Sequence, residues 1–421
     1  MSSRPRPPVP VIVADHGGYS AYRDRHGRSF LPACRYDVSL VTDLAAAGEA
    51  RGRDLVRVVG VAWDEQAIGD AVRSLAAGQP ASRLVTLAER LLLPAAQLRD
   101  ELGIPGQRVR QALLFRDKIL MKRHLRARGI AVPDFAPYTP AAARRLLHAH
   151  LALVIKPRQG SGAQDITFIR SAADLDEFDV THPPANLPRF EVEECITGPL
   201  YHVDSVVRGG GSVVAAVAGR YLDDPTAYLR LAPCRDVAVP PGPVLDELLA
   251  FNARVIACYP GYTGVTHHEI FLTAAGACLC EIAARPGGGG IAAGFWSRTG
   301  LNLRKIAVET QLTGSVPSRI DVAPHLTGWV VIYAGPGALL EPIEVPSEPW
   351  VIEAQVRAGP GARLTGPASC GDGVATISVA GDSEADVAQR LAAVIETAAP
   401  KVAAAHPQHG AGGRCLTSRR L

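Results

Sequence analysis

Apolar and polar positions follow two different periods over the first hundred residues. Short apolar runs at 10–14, 36–42, 55–61 and 83–87 read as strands, while 64–77 and 92–102 carry apolar residues at helical spacing. Strand and helix in alternation predict a small parallel sheet with helical crossovers. Gly17 and Gly18 follow the first strand, but the full glycine fingerprint of a dinucleotide site is missing, so a plain turn is expected there.

Farther along, 116–128 reads as one basic helix, stopped by Gly129 in a left-handed conformation with Pro133 just beyond. A helix this rich in cations is ordinarily a solvated face, the expectation for Lys122, Arg123 and Arg126. Short strands and tight turns dominate 151–212. The polar stretch 219–242, holding Asp223, Asp224, Arg230 and Arg235, reads as a functional loop or a disordered insert. Helices are expected at 244–258 and at 295–312, the second ending at Gly314, with a hairpin between them. Short strands then return before a last helix, where Ser383 and Asp386 make a capping-box-like start to an apolar stripe of Val387, Leu391, Val394 and Ile395. The Gly-, His- and Arg-rich end beyond 405 reads as a disordered tail, and no repeat of solenoid period is present.

A chain of 421 residues exceeds the size of one growing core, so two to four domains are expected. At 47% hydrophobic and 20% charged residues it is of ordinary globular composition. A net charge of +3 with dispersed arginines argues against a nucleic-acid partner and for small molecules. Apolar stretches are too short for a membrane span or a signal-peptide core, which points to no membrane association and a cytoplasmic location. Eight scattered cysteines do not suggest a disulfide framework, and Cys278 with Cys280 alone make a poor zinc site; free thiols are expected.

Lysine is scarce: Lys118, Lys122, Lys156, Lys305 and Lys401, among 44 Lys and Arg together. Lys118 lies in FRDKILM (115–121) and Lys156 in LVIKPRQGSG (153–162), a setting that suggests two compact charges converging on a polyphosphate. In the second segment Gly160, Ser161 and Gly162 follow a strand and can lay backbone N–H groups on phosphate oxygens as a lid. In 264–284 a three-residue turn, Ala274, Ala275 and Gly276, would pair Thr273 with Ala277. Counting outward in that register sets Glu269 opposite Glu281, with Cβ atoms roughly 5 Å apart, a repulsive pair unless a cation lies between. Two carboxylates suit Mg²⁺ bridging ATP phosphates. Arg285, followed by four glycines, puts a permanent cation beside exposed N–H groups, an arrangement suited to an acyl phosphate and a tetrahedral oxyanion.

Taken in order with FEVEECITG (190–198), GVTHHEI (264–270) and CEIAARPGGGG (280–290), these segments resemble the ATP-grasp superfamily, and within it the carboxylate–amine ligases that include L-amino-acid ligases. The resemblance implies an α/β and α+β multidomain protein with the ATP-grasp fold. It divides the chain into an N-terminal parallel α/β domain (1–114), a small subdomain with the lid (115–190), a large subdomain with the metal site (191–318), a C-terminal α+β subdomain (319–404) and the tail (405–421). It also implies that Lys118 and Lys156 hold ATP phosphates, that Glu193 and Glu194 sit at the adenine edge, and that Ile196 donates its N–H to the ring. Where the family commonly has an acid for the ribose, this chain has Pro199 and Leu200, leaving His202 and Asp204 as substitutes. Glu269 and Glu281 would hold the metal, Mg²⁺ in two ions or Mn²⁺, and His267, Arg285, Gly288 and Gly289 would face the substrates, with Arg285 and Lys156 catalytic. Two departures stand out: Gln164 and Asp165 make the lid less glycine-rich, and Ala283 stands where many members have asparagine, as in ligases with a Glu-x-Ala-Ala-Arg phrase. The implied activity is ADP-forming ligation of a carboxylate, an amino acid for preference, to an amine. Loading of an acyl carrier protein thiol, carboxylation with bicarbonate and a homodimeric state remain open.

Overall fold

The computed structural model describes residues 7–50 and 55–404, so the tail expected beyond 405 lies outside the described residues. Strands β1 (Val9–Ala14), β2 (Tyr36–Asp43), β3 (Arg57–Val61) and β4 (Arg83–Val85) form a parallel sheet in the order β3-β2-β1-β4. The helices α1 (Leu44–Glu49), α2 (Glu65–Gly78) and α3 (Leu92–Glu101) complete this unit. Asp43 and Asp64 cap α1 and α2 by accepting backbone N–H groups, which explains why each helix starts where its strand or loop ends. Gly17 and Gly18 turn with positive φ, and their N–H groups donate to Asp43 Oδ2 and Thr42 Oγ1.

The basic helix expected at 116–128 is α5 (Lys118–Arg126), and a separate helix, α4 (Val109–Arg116), precedes it. Asp117 makes the break: its backbone is extended, and its carboxylate accepts the N–H groups of Ile119 and Leu120, an N-cap strong enough to start a new helix. A small antiparallel sheet follows, β5 (Phe135–Pro137), β6 (Leu153–Pro157), β7 (Thr167–Ile169) and β8 (Phe190–Glu194), in the order β5-β8-β6-β7. It packs against α6 (Pro140–Ala149) and α7 (Ala172–Thr181) around Tyr138, Leu146, Ile155, Phe178 and Val192.

The largest sheet has eight strands, and its first five are β9 (Leu200–Arg208), β10 (Ser212–Tyr221), β11 (Cys234–Ala238), β12 (Gly264–Thr273) and β13 (Gly276–Ala283). The rest of the chain supplies β14 (Leu326–Ile332), β15 (Gly337–Leu339), β16 (Val351–Val356), β17 (Arg363–Leu364), β18 (Ala375–Gly381) and β19 (Val402–Ala404). The order of the large sheet is β13-β12-β9-β10-β11-β14-β18-β16, so the C-terminal strands continue the same sheet, while β15, β17 and β19 form a separate small one. The stretch 219–242 is accordingly neither a loop nor an insert, since it holds the end of β10, a short 3-10 helix at Pro225–Arg230 and β11.

The long helix α8 (Pro243–Ala257) covers one face of the sheet, burying Leu248, Phe251 and Val255 against Val203, Ile270 and Ile282. The single helix expected at 295–312 is two helices, α9 (Ile291–Thr299) and α10 (Leu303–Thr313). Gly300 in the left-handed region ends the first and the Asn302 side chain caps the second. They cover the opposite face through Phe295, Leu303 and Ile306, packed against Val206 and Val265. Last comes α11 (Glu384–Thr397), with Ser383 as N-cap and Val387, Leu391 and Val394 buried.

Candidate active site

The site forms where the small sheet faces the hairpin of β12 and β13. Alternation along β8 sends Glu191 and Glu193 to one side, and both are buried beside lysines. Lys156, at the end of β6, donates to Glu193 Oε1 at 2.6 Å and lies 3.7 Å from Cys280 Sγ. Burial works against its charge, but the acids around it outweigh burial and raise its pKa well above the ordinary value. Lys118, in the first turn of α5, reaches Glu281 Oε2 at 3.1 Å and the Gly160 carbonyl at 3.0 Å. The two lysines singled out in the sequence therefore converge, one on each side of the lid's root.

Lys122 does not lie on a solvated face. It is wholly buried and donates to Glu191 Oε1 at 2.6 Å and to Glu193 Oε2. Its spacing of four from Lys118 puts both on one helix face, a signal that could have found it. Glu194 points the other way, toward the Asp134 N–H at 3.3 Å and His150 at 3.4 Å, so its side chain stands apart from the lysine cluster. The Ile196 N–H has no protein partner among the described residues and is free to donate.

In the hairpin, Glu269 pairs with Glu281 as expected, but by a different route. The turn is tighter than anticipated: Thr273 pairs with Gly276, so the ladder starts one residue out of the expected register. An irregularity between Glu269 and Ile270 sets Leu279 opposite Ile270 and Glu281 opposite Glu269, leaving Cys280 as the extra residue of a β-bulge. Turn and bulge cancel, and the carboxylates end opposite one another. Burial would raise the Glu281 pKa, but Lys118 and Lys156 outweigh it and bring it down to about 2. Glu269 Oε1 accepts from the Tyr221 hydroxyl at 3.3 Å and lies 3.6 Å from His267 Nε2. Two opposed, partly accessible carboxylates with hard oxygen donors fit a divalent cation of the Mg²⁺ type.

Behind Glu269 runs a buried chain of ionisable groups. His267 Nδ1 donates to Asp204 Oδ1 at 3.0 Å, His202 Nδ1 to Asp204 Oδ2 at 2.7 Å, and His202 Nε2 to Asp236 Oδ2 at 3.1 Å. Burial opposes the charge on both rings, yet the carboxylates win, raising the pKa of His202 to about 10 and of His267 to about 9. His202 and Asp204 are thus occupied in a buried network on β9, not offered to a ribose beside the adenine edge expected at Glu193 and Glu194. Neither Asp236 nor Tyr221 was singled out in the sequence, because only the sheet order brings them here.

The four glycines after Arg285 are mostly explained by packing. The Gly287 N–H is taken by Asp204 Oδ1 at 3.1 Å, and a Cβ there would meet that oxygen at 2.7 Å. Gly289 has φ +57° and lies against the Trp329 ring, so of the two substrate-facing candidates only Gly288 has open space beside it. Arg285 is held by a residue that sequence reasoning missed, Glu89, whose Oε2 accepts both its Nε, at 2.6 Å, and its Nη2. The other Glu89 oxygen accepts Arg116 at 2.5 Å. No periodicity or motif marks Glu89, which lies 196 residues from its partner.

The lid loop is anchored at two points. Gly162, Ala163 and Asp165 all have positive φ, a strained course for the two non-glycines. It is tied down by the Cys370 N–H, donating to Gly162 O at 3.0 Å, and by the Tyr228 hydroxyl, donating to Ala163 O at 3.0 Å. Along the chain, Gly160 and Ser161 lie between Lys156 and this latch.

Residues 115–289 match the ATP-grasp domain family. An L-arginine-specific L-amino acid ligase of Bacillus subtilis is 27% identical over 226 residues, which are 50% of this chain and 53% of that protein. The chain thus matches about half the length of that curated relative. Among solved structures, an L-amino acid ligase from Bacillus licheniformis superposes with a TM-score of 0.75 at 17% identity, over 93% of this chain and 98% of the other. The biotin carboxylase domain of 2-oxoglutarate carboxylase from Hydrogenobacter thermophilus gives 0.69 at 14% identity, over 94% and 90%. Phosphoribosylglycinamide synthetase from Anaerococcus prevotii gives 0.66 at 13% identity, over 94% and 100%. At such identities the structural likeness speaks for the fold alone, and the family match covers residues 115–289.

Proposed function

We propose that the protein is an ATP-dependent ligase that joins a carboxylate, for preference that of an amino acid, to an amine and releases ADP and phosphate. One observation carries it: Lys118 pairs with Glu281 at 3.1 Å and Lys156 stands close enough to feel its charge, Glu269 lies opposite Glu281, and Arg285 is close enough to feel both carboxylates. This is a site for polyphosphate and a divalent cation beside a fixed guanidinium. The family match and the amino acid ligase relative support the same reading.

In this mechanism an oxygen of the substrate carboxylate attacks the γ-phosphorus, the bond to the bridging oxygen breaks, and ADP leaves. Lys118 and Lys156 neutralise the transferring charge, and the lid between Gly160 and Gly162 excludes water from the acyl phosphate. The amine, as its free base, then attacks the acyl carbon, phosphate departs with the bonding pair, and the nitrogen loses a proton. Arg285 would stabilise the oxyanion. Glu269 and Glu281 would hold Mg²⁺, which supplies charge stabilisation at the phosphates when bound. Chain segments 1–114, 115–190, 191–318 and 319–404 are proposed as the functional units. The Ile196 N–H is the proposed donor to adenine.

Identifying the nucleotide product while pairs of amino acids are screened for phosphate release tests this. ADP and phosphate formed only when both an acid and an amine are present are expected, and AMP with pyrophosphate would overturn the reading. Bicarbonate-dependent turnover without an amino acid would mean carboxylase chemistry, and turnover requiring a carrier-protein thiol would mean a different acceptor.

A further inference from the structure

Two of the lysines beside the site face the same two buried acids, yet phosphate binding employs only one of them. Lys122 contacts both Glu191 and Glu193, while Lys156 takes the remaining oxygen of Glu193 at 2.6 Å and stands 3.9 Å from Glu191. Glu191 is fully buried, and its Oε2 has no partner among the described residues. Two cations therefore balance two carboxylates in a dry pocket. Lys156 lies on the site's side, within reach of Cys280 and the charge of Glu281, whereas Lys122, on α5, is wholly buried and also faces the Phe135 ring at 5.6 Å.

A phosphate can draw Lys156 away from Glu193 only if something else neutralises the acid left behind, because an unpaired buried carboxylate is strongly unfavourable. We propose that Lys122 is a positioning residue for nucleotide binding: it stays with Glu191 and Glu193 and so releases Lys156 to the ATP phosphates. This rests on the reading that Lys156 binds phosphate. Without Lys122, two carboxylates would hold Lys156, and ATP would have to compete against both.

The test is calorimetry of Mg-ATP binding, beside thermal melting, on four variants: Lys122→Met, Glu191→Gln, the double variant, and Lys156→Ala. Lys122→Met is expected to weaken ATP binding by roughly tenfold or more, the worth of one charge-assisted contact. The double variant restores the charge balance and should bind within about threefold of the native protein. A purely packing role would give no such rescue. Glu191→Gln alone should bind ATP as well as or better than the native protein.

A folded Lys122→Met protein with native ATP affinity, while Lys156→Ala has lost it, overturns this inference and leaves the phosphate role standing. Native affinity in Lys156→Ala instead removes the underlying reading. Should Lys122→Met not fold, the double variant decides against Glu191→Gln: equal affinities support the charge-balance role, and a clear deficit in the double variant overturns it. If the double variant also fails to fold, Glu191→Gln decides alone, and weakened ATP binding there overturns it.

Discussion

The opposed carboxylates carry the sharpest prediction at the scale of single residues. Taken from the sequence alone, Glu269 and Glu281 would repel, and removing one charge would stabilise the metal-free protein. Lys118 changes that balance, since it is buried and pairs with Glu281 at 3.1 Å. Glu281→Gln should therefore destabilise the protein by about 1–3 kcal/mol through the half-orphaned lysine, and abolish turnover at ordinary Mg²⁺. Melting without metal beside activity across a Mg²⁺ titration measures both, and an active variant with unchanged Mg²⁺ dependence would mean the metal lies elsewhere. Lys118 and Lys156 were legible because each sits inside a local pattern, a helix start or a strand end, whereas Glu269 and Glu281 come opposite one another only because turn and bulge cancel. Lys122 and Glu191 were not, because an abundance of charge on a helix argues for solvent until its partner strand is known. His202 and Asp204 were misplaced for the converse reason: proximity in sequence to the segment 193–196 says nothing of the sheet face, and alternation turns them toward Asp236 and His267.

Two local devices shape the site at the scale of elements. The hairpin's turn has Gly276 at φ +103°, and a Cβ there would have ordinary contact distance to Glu247, so the cost of a side chain is almost all backbone. Gly276→Ala should lose about 1–2 kcal/mol in denaturant unfolding while keeping the Mg²⁺ dependence, because the bulge at Cys280 resets the register before Glu281 is reached. A changed Mg²⁺ dependence would show that turn and metal site are not insulated. The lid offers the second device. Tyr228→Phe deletes the hydroxyl bond to Ala163 O, worth about 1 kcal/mol, and should raise hydrogen exchange at 160–166 roughly fivefold with little effect on global stability. Unchanged exchange would mean that the Cys370 contact alone holds the loop. Strand and helix positions in the first hundred residues were legible to within a few residues, since period and caps agree. The split at Gly300 was missed because the apolar period runs on across it, and a left-handed glycine followed by the capping Asn302 decides such a break locally.

The N-terminal sheet is wired into the rest of the molecule, not merely packed against it. Gln311 on α10 donates to Thr86 O at 2.9 Å and accepts from Arg99 at 3.0 Å, and Arg83 reaches Leu312 O at 2.6 Å. No helix among the described residues is long and apolar enough to cross a membrane. Glu89 matters most, because it follows β4 and holds both Arg116 and Arg285, the guanidinium proposed to face the oxyanion. Glu89→Gln leaves two largely buried cations without their charge partner and should cost about 3–5 kcal/mol in stability. It should also lower kcat in a protein kept folded by cold or osmolyte, with ATP affinity nearly unchanged because the lysines are untouched. The pH dependence has a definite sign. Burial would raise the Glu89 pKa, but Arg285 and Arg116 outweigh it and hold it below the usual carboxylate range. Its contribution is therefore fully present above the unfolded carboxylate pKa of about 4.3, and disappears as pH falls through the lower folded value. Denaturant unfolding from pH 7 down to about 3 should show a flatter acid limb for Glu89→Gln than for the native protein. Parallel acid limbs would show that Glu89 does not carry its charge in the fold, and with that the tie between the N-terminal sheet and Arg285 would lose its electrostatic basis.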